Sequence, residues 1–255
     1  LTSRESIDID FSMRHDFPDG PEAVQARIEI ALQRTFRLAG YEPFDFKMEE
    51  RPAEVSPDLA DFWGGYGVEF KLVPNAQFAE LKSDLPKLRN AALSIGQGRK
   101  FFIDISRFEY IDDKEPKDLD GYRIYVYSPL MIACEKLRAI CQQMNEYAPV
   151  VKRDNRPGSQ RARDFLDSHV LVESLRLDML SPKAIDITRQ MFALKRVKLD
   201  WLGNIENYRE FHRQGFPSVK DTVSRNFDLQ EFDFYVDYVV KLANDILTEV
   251  HATPA

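Results

Sequence analysis

Ile7-Asp8-Ile9-Asp10-Phe11 is the stretch whose reading decides the fold. Apolar residues at 7, 9 and 11 alternate with acids at 8 and 10, the period-two pattern of a strand that buries one face. Side chains at i and i+2 share a face with their backbones about 6.5 to 7 Å apart, so both carboxylates can converge on one hard divalent cation or on a pair. Taken alone, an Asp-x-Asp reads more readily as a solvated strand face, so its surroundings must decide. Downstream, Pro18 to Gly20 reads as a turn. Pro21 sits early in a helix whose apolar face is Val24, Ile28, Leu32 and Phe36, and Gly40 is its stop. Val68–Val73, Lys100–Ser106 and Tyr122–Tyr127 read as strands, and Ala76–Ile95 reads as a helix.

The second half changes character. Ser128-Pro129 supplies an N-cap and a first-turn proline, and Leu130, Cys134, Leu137, Cys141 and Met144 form one apolar stripe in a helix ending near Tyr147. Residues 149–160 lack periodicity and read as an exposed loop. Helical patterning resumes at Arg161 and continues, with breaks at Pro182, Gly203 and Pro217, to an amphipathic helix carrying Phe232, Tyr235, Val239, Leu242 and Ile246. The expected class is α+β: a mixed-sheet domain with flanking helices over residues 1–127, then a helical domain over 128–255 that contributes to a cleft.

A chain of 255 residues that is 44% hydrophobic can bury one large core or two modest ones. Its net charge of −7 argues against non-specific coating of nucleic acid and confines any RNA contact to a local patch. Lys195, Arg196, Lys198, Arg209, His212 and Arg213 are candidates for such a patch, although a solvated helix face accounts for them somewhat better. No apolar run approaches the roughly 20 residues of a membrane span, and no signal pattern opens the chain, so a cytoplasmic protein without a membrane partner is expected. Cys134 and Cys141, seven positions apart on one helix, are too distant for a disulfide and read as core. The histidines lack metal-ligand spacing, and no Ser/His/Asp or Cys/His arrangement supports hydrolase chemistry.

Three further acids and three cations matter. Asp104 lies within Phe101-Phe102-Ile103-Asp104-Ile105-Ser106, where an acid in a run built for burial is costly unless paired or bound to metal. Beside Asp8 and Asp10 it completes a carboxylate trio for two-metal phosphoryl transfer or serves as general base. A salt bridge to Arg107 or Arg123 is the alternative. Lys136 shares a helical stripe with Ile132 and Ile140 and either snorkels to solvent or offers its ammonium to phosphate. Asp164 shares a face with Leu171 and is placed to orient Lys136 or Arg138, while Arg163 and Asp167 form an i,i+4 pair.

Arg4-Glu5-Ser6-Ile7-Asp8-Ile9-Asp10-Phe11 resembles the Arg-x-Ser/Thr-x-Asp-Ile-Asp-Phe segment of the AbiEii/AbiGii toxin family. Glu135-Lys136-Leu137-Arg138-Ala139 and Arg161-Ala162-Arg163-Asp164-Phe165-Leu166-Asp167 match further segments in the family's order. The resemblance implies a polymerase-β-type nucleotidyltransferase fold in which Asp8, Asp10 and Asp104 hold Mg²⁺. Lys136 and Asp164 would complete the catalytic set, and Lys136, Arg138, Arg163 and Asp167 would lie toward the nucleotide. It further implies a nucleoside triphosphate donor (GTP or a pyrimidine triphosphate), tRNA or another RNA as acceptor, a cognate antitoxin, and a toxin–antitoxin or abortive-infection role. The family also carries a Gly-Gly-Thr or Gly-Ser turn before the acidic pair. Here the chain opens at Leu1 without it, so an incomplete N-terminus is expected. Gly64-Gly65 reads as a turn and not as that motif. Transfer to a protein or small molecule, or a non-catalytic nucleotide-binding module, are the alternatives.

Overall fold

The computed structural model describes residues 9–94, 98–153, 157–224 and 226–252. It divides into two compact units, Ser6–Glu109 and Tyr110–Ala255.

In the first unit, the alternation after Asp8 becomes strand β1 (Ile9–Ser12), and the apolar stripe after Pro21 becomes helix α1 (Gly20–Leu38). Strands β2 (Tyr41–Arg51), β3 (Gly65–Pro74) and β4 (Phe101–Ser106) complete a sheet of order β1-β4-β3-β2 among the described residues. The sheet is mixed: β1 runs parallel to β4, while β4–β3 and β3–β2 are antiparallel. One face is apolar. Tyr66, Val68, Phe70 and Leu72 of β3 and Ile103 and Ile105 of β4 are buried there under Ile28, Leu32 and Phe36 of α1.

Within this unit, two short helices cover one end of the opposite face. Helices α2 (Asn75–Leu81) and α3 (Leu85–Ala91) pack Phe78, Leu81 and Leu88 over Phe44 and Val73. The single helix expected over residues 76–95 is thus two short ones. Asp84 caps the second by accepting from the Lys87 N–H at 3.1 Å, and Pro86 in its first turn stops the first helix from continuing through. Strand β2 had no counterpart in the sequence reading. A register shift between Phe44 and Lys47 inserts one extra residue, and Asp45 sits there with φ +58°.

The second unit begins with the hairpin β5 (Glu115–Leu119) and β6 (Tyr122–Val126). Helices α4 (Pro129–Cys141), α5 (Ala162–Leu175), α6 (Pro182–Leu194), α7 (Arg209–Arg213), α8 (Phe216–Lys220) and α9 (Phe232–Ala252) follow, with a 3₁₀ segment at Leu199–Tyr208. Ser128 caps α4 as read, accepting from the Met131 N–H. The stripe on α4 is core: Cys134, Leu137, Cys141 and Met144 are fully buried, with α5 and α6 against the helix. Both cysteines are free thiols, and burial pushes Cys134 up to about 11. Pro182 and Pro217 begin helices. Among the described residues no helix is long and apolar enough to cross a membrane.

Candidate functional site

The parallel pairing of β1 with β4 sets Asp10 directly beside Asp104, in register with Ile9 beside Ile103 and Phe11 beside Ile105. Neighbouring strands lie about 4.8 Å apart, so two carboxylates stand side by side on one sheet face. Both residues are exposed on the face opposite α1, and the Asp104 side chain is half open to solvent. Like charges placed opposite each other weaken a sheet. An arrangement that costs stability is the kind a functional site retains.

Asp104 has a cation beside it, but neither Arg107 nor Arg123. Arg51, at the end of β2, reaches across β3 to place Nη1 3.4 Å from Asp104 and Nη2 3.3 Å from Glu69. It passes over Gly67, the β3 residue in register with Asp104. A Cβ at Gly67 would lie 2.3 Å from Arg51 Nε, so this glycine is what lets the guanidinium lie across the sheet. Arg51 and Gly67 escaped the sequence reading, because the strand expected at Val68–Val73 starts one residue after Gly67, whereas β3 begins at Gly65.

Arg107 belongs to a different structure at the ends of the same strands. Its guanidinium pairs with Asp16 and lies over the Tyr66 ring at 5.0 Å, and Tyr66 donates to Asp16 at 2.8 Å. Despite some burial, the bonds from Tyr66, the Phe17 N–H and Arg107 hold the Asp16 carboxyl below its usual range. Gly64, at φ +110°, leaves room for Arg107 Nη2, which a Cβ would approach to 2.7 Å. Gly65 continues β3, where a Cβ would lie 2.2 Å from the Ile105 carbonyl oxygen. The two glycines are therefore a close-packing device leading into the strand, in place of the turn expected at Gly64-Gly65.

In the helical unit, Lys136 Nζ donates to Asp164 Oδ1 at 3.1 Å and to Asp167 Oδ2 at 2.9 Å. Burial alone would lower the ammonium pKa, but the two carboxylates outweigh it and hold Lys136 above its ordinary value. Asp164 is buried, and Arg161 lies 3.6 Å from its second oxygen. The orienting role read for Asp164 thus falls on Lys136. Arg138 is 4% exposed and donates to Gln142 at 3.3 Å and Glu135 at 3.4 Å, within its own helix. Arg163 is exposed on α5.

Of the basic residues read as a candidate RNA patch, Arg196 and Lys198 are exposed, and the other four are paired or buried. Arg209 pairs with Glu206, Asp233 and Asp237, and Arg213 with Glu210 and Asp233. His212 and Lys195 are buried. The His212 ring accepts from the Arg161 N–H at 3.0 Å through Nδ1, against Phe165 and Phe211, and burial pulls its pKa down to about 4.

Asp8, with the rest of Arg4–Ile7, lies outside the described residues. Among the described residues no three His, Cys, Asp or Glu side chains gather as a metal site. The Asp10–Asp104 pair fits a hard divalent cation, being two exposed oxygen donors side by side.

The family model of the nucleotidyl transferase AbiEii toxin, from type IV toxin–antitoxin systems, matches residues 1–237. The chain belongs to the AbiEii toxin family. As an AbiEii protein it is a toxin–antitoxin nucleotidyltransferase, of a family that generally uses a nucleoside triphosphate and a divalent metal. The chain is also similar to two solved structures. One is a candidate nucleotidyltransferase from H. pylori, at 13% identity over 100% of this chain and 83% of that one, with a TM-score of 0.44. The other is JHP933 from Helicobacter pylori, at 14% identity over 98% and 81%, with a TM-score of 0.43. Among curated proteins none matches.

Proposed function

We propose that this AbiEii protein transfers a nucleoside monophosphate from a nucleoside triphosphate to RNA, with tRNA as the acceptor class, in the cytoplasm. The observation that carries the reading is the register that sets Asp10 beside Asp104 on an exposed sheet face.

Asp10 and Asp104, with Asp8, are the proposed ligands of Mg²⁺. The chemistry such an ion supplies is neutralisation of phosphoryl oxygens and activation of the attacking hydroxyl. The acceptor hydroxyl forms a new bond to the α-phosphorus, the bond to pyrophosphate breaks, and Asp104 is the proposed acceptor of the hydroxyl proton. Lys136 is proposed to contact phosphate oxygens. An ammonium has three donors, two of which go to Asp164 and Asp167, and their carboxylates keep it charged.

The test is incubation of the protein with Mg²⁺, each labelled nucleoside triphosphate in turn and total RNA, followed by denaturing separation. Label in a tRNA-sized band is the expected result and also names the base. Label on protein or on a small molecule would overturn the acceptor, and label nowhere would contradict the enzyme reading.

A further inference from the structure

The sheet face that carries Asp104 does not end in neutral surface. Moving along β3 from Gly67, the next residues on that face are Glu69 and Lys71, about 6.5 and 13 Å away. There the face runs into a pocket of about 370 Å³ lined by Asp45, Phe46, Lys47, Glu69, Phe70, Lys71, Arg89 and Lys100. Four cations face two carboxylates. Adding Arg51, which shares Glu69, and Glu49, which meets Lys47 at 2.7 Å, leaves the same surplus of two positive charges. In a chain of net charge −7 this is a local inversion of sign.

The pocket is built by the bulge in β2. The extra residue turns Asp45 into the left-handed region, a conformation Asp adopts more readily than most residues. Its carboxylate takes Lys71 on one side and Arg89 of α3 on the other, the latter through Nε at 2.9 Å and Nη2 at 2.5 Å. Glu69 does the same for Lys100, at 2.6 Å, and for Arg51. Each acid thus anchors two cations. Lys47, Arg89 and Lys100 keep about half their side-chain surface open to solvent. Exposed ion pairs such as Lys47–Glu49 and Lys100–Glu69 are screened by solvent and weak, so their ammonium groups remain available to an arriving phosphate.

We infer that this pocket holds a backbone phosphodiester of the acceptor RNA, upstream of the hydroxyl presented at Asp10 and Asp104. The inference rests on the RNA acceptor proposed above. It adds a site on the same sheet face, displaced along β3 from the acid pair, where a polynucleotide arrives by its next phosphates. A lone acceptor hydroxyl on a protein or small molecule has no use for it.

The experiment is titration of fluorescent bulk tRNA with the wild-type protein and with the Lys47→Gln/Arg89→Gln/Lys100→Gln variant, across a series of salt concentrations. All three positions are half exposed, so the variant is expected to fold, and the single Lys100→Gln change guards against failure. Each lost phosphate contact should flatten the slope of log affinity against log salt by about 0.7 to 0.9, and the triple variant should bind tRNA at least about tenfold more weakly near physiological salt. Unchanged affinity and slope would overturn the inference, as would weakened nucleoside triphosphate binding with tRNA binding intact. The Asp104→Asn variant separates the two readings. Retained tRNA binding with lost transfer supports both, whereas pocket-dependent tRNA binding in a protein that transfers nothing to RNA keeps the pocket and removes the enzymatic reading.

Discussion

The acid pair on the sheet and the lysine cluster of the helical unit are built in opposite ways. On the sheet, Asp10, Asp104 and Arg51 stand on rigid strands with their side chains largely in solvent, and like charges are set side by side. In the helical unit, Lys136 is enclosed by Asp164 and Asp167, opposite charges bonded at about 3 Å beside a fully buried core. The first arrangement costs stability and keeps both acids at the solvent-exposed surface. The second is neutralised from within and ties α4 to α5. The acid pair is therefore the proposed centre of the chemistry, and the lysine cluster ties α4 to α5 while keeping the ammonium proposed to meet phosphate charged.

The largest stability effect should fall on the enclosed cluster. Lys136→Met leaves two carboxylates facing each other, one of them buried, and should destabilise the protein by about 3 kcal/mol by chemical denaturation. Asp10→Asn, which relieves a like-charge pair, should leave stability unchanged or slightly raised. Equal losses in the two variants would break the comparison.

His212 sharpens the helical side. Its folded pKa of about 4 lies below the ordinary histidine value, so the unfolded chain takes up a proton that the folded protein refuses. The stability tied to its neutral form is complete above about pH 6.5 and is lost as pH falls through about 4, amounting to roughly 3 kcal/mol. The His212→Gln variant should show a flatter dependence of unfolding free energy on pH over that window. An identical slope would mean that the buried ring is not the acid-sensitive group.

The smallest effect separates two glycines on one strand. Gly65→Ala drives a Cβ into the Ile105 carbonyl, backbone that cannot step aside, and should cost about 2 kcal/mol. Gly67→Ala meets only the far part of the Arg51 side chain, so it should cost under about 1 kcal/mol while lifting Arg51 off Asp104. Matching losses at the two positions would contradict the role of Gly67 in letting Arg51 lie across the sheet.

What was legible in the sequence follows the same division. Period-two alternation at 101–106 and the apolar stripe from Leu130 gave a strand and a buried helix because burial on one face writes itself into spacing. The alternation at 9–11 also marks a strand, but Ile9 and Phe11 are about half exposed, so the buried face expected there does not form among the described residues. The parallel pairing of the two strands, which puts Asp10 beside Asp104, involves residues more than ninety apart and has no local signature. Strand β2 was missed because Asp45, Lys47 and three consecutive charges at Glu49–Arg51 interrupt a run whose apolar positions are Phe44, Phe46 and Met48. The single helix expected over 76–95 overlooked Asp84 and Pro86, a cap and a first-turn proline that together announce a new start. His212 looked like one of a basic group because its burial depends on Phe165 and Phe211, and Phe165 lies far away in sequence.

The measurement that bears most directly on the account is nucleotidyl transfer by the Asp10→Asn/Asp104→Asn protein, with Mg²⁺ and the labelled donor, set beside its thermal midpoint. Transfer should fall by about a thousandfold or more, several kcal/mol of lost transition-state stabilisation, while the midpoint holds or rises. Wild-type rates in that variant would contradict the assignment of the acid pair as the centre of the chemistry.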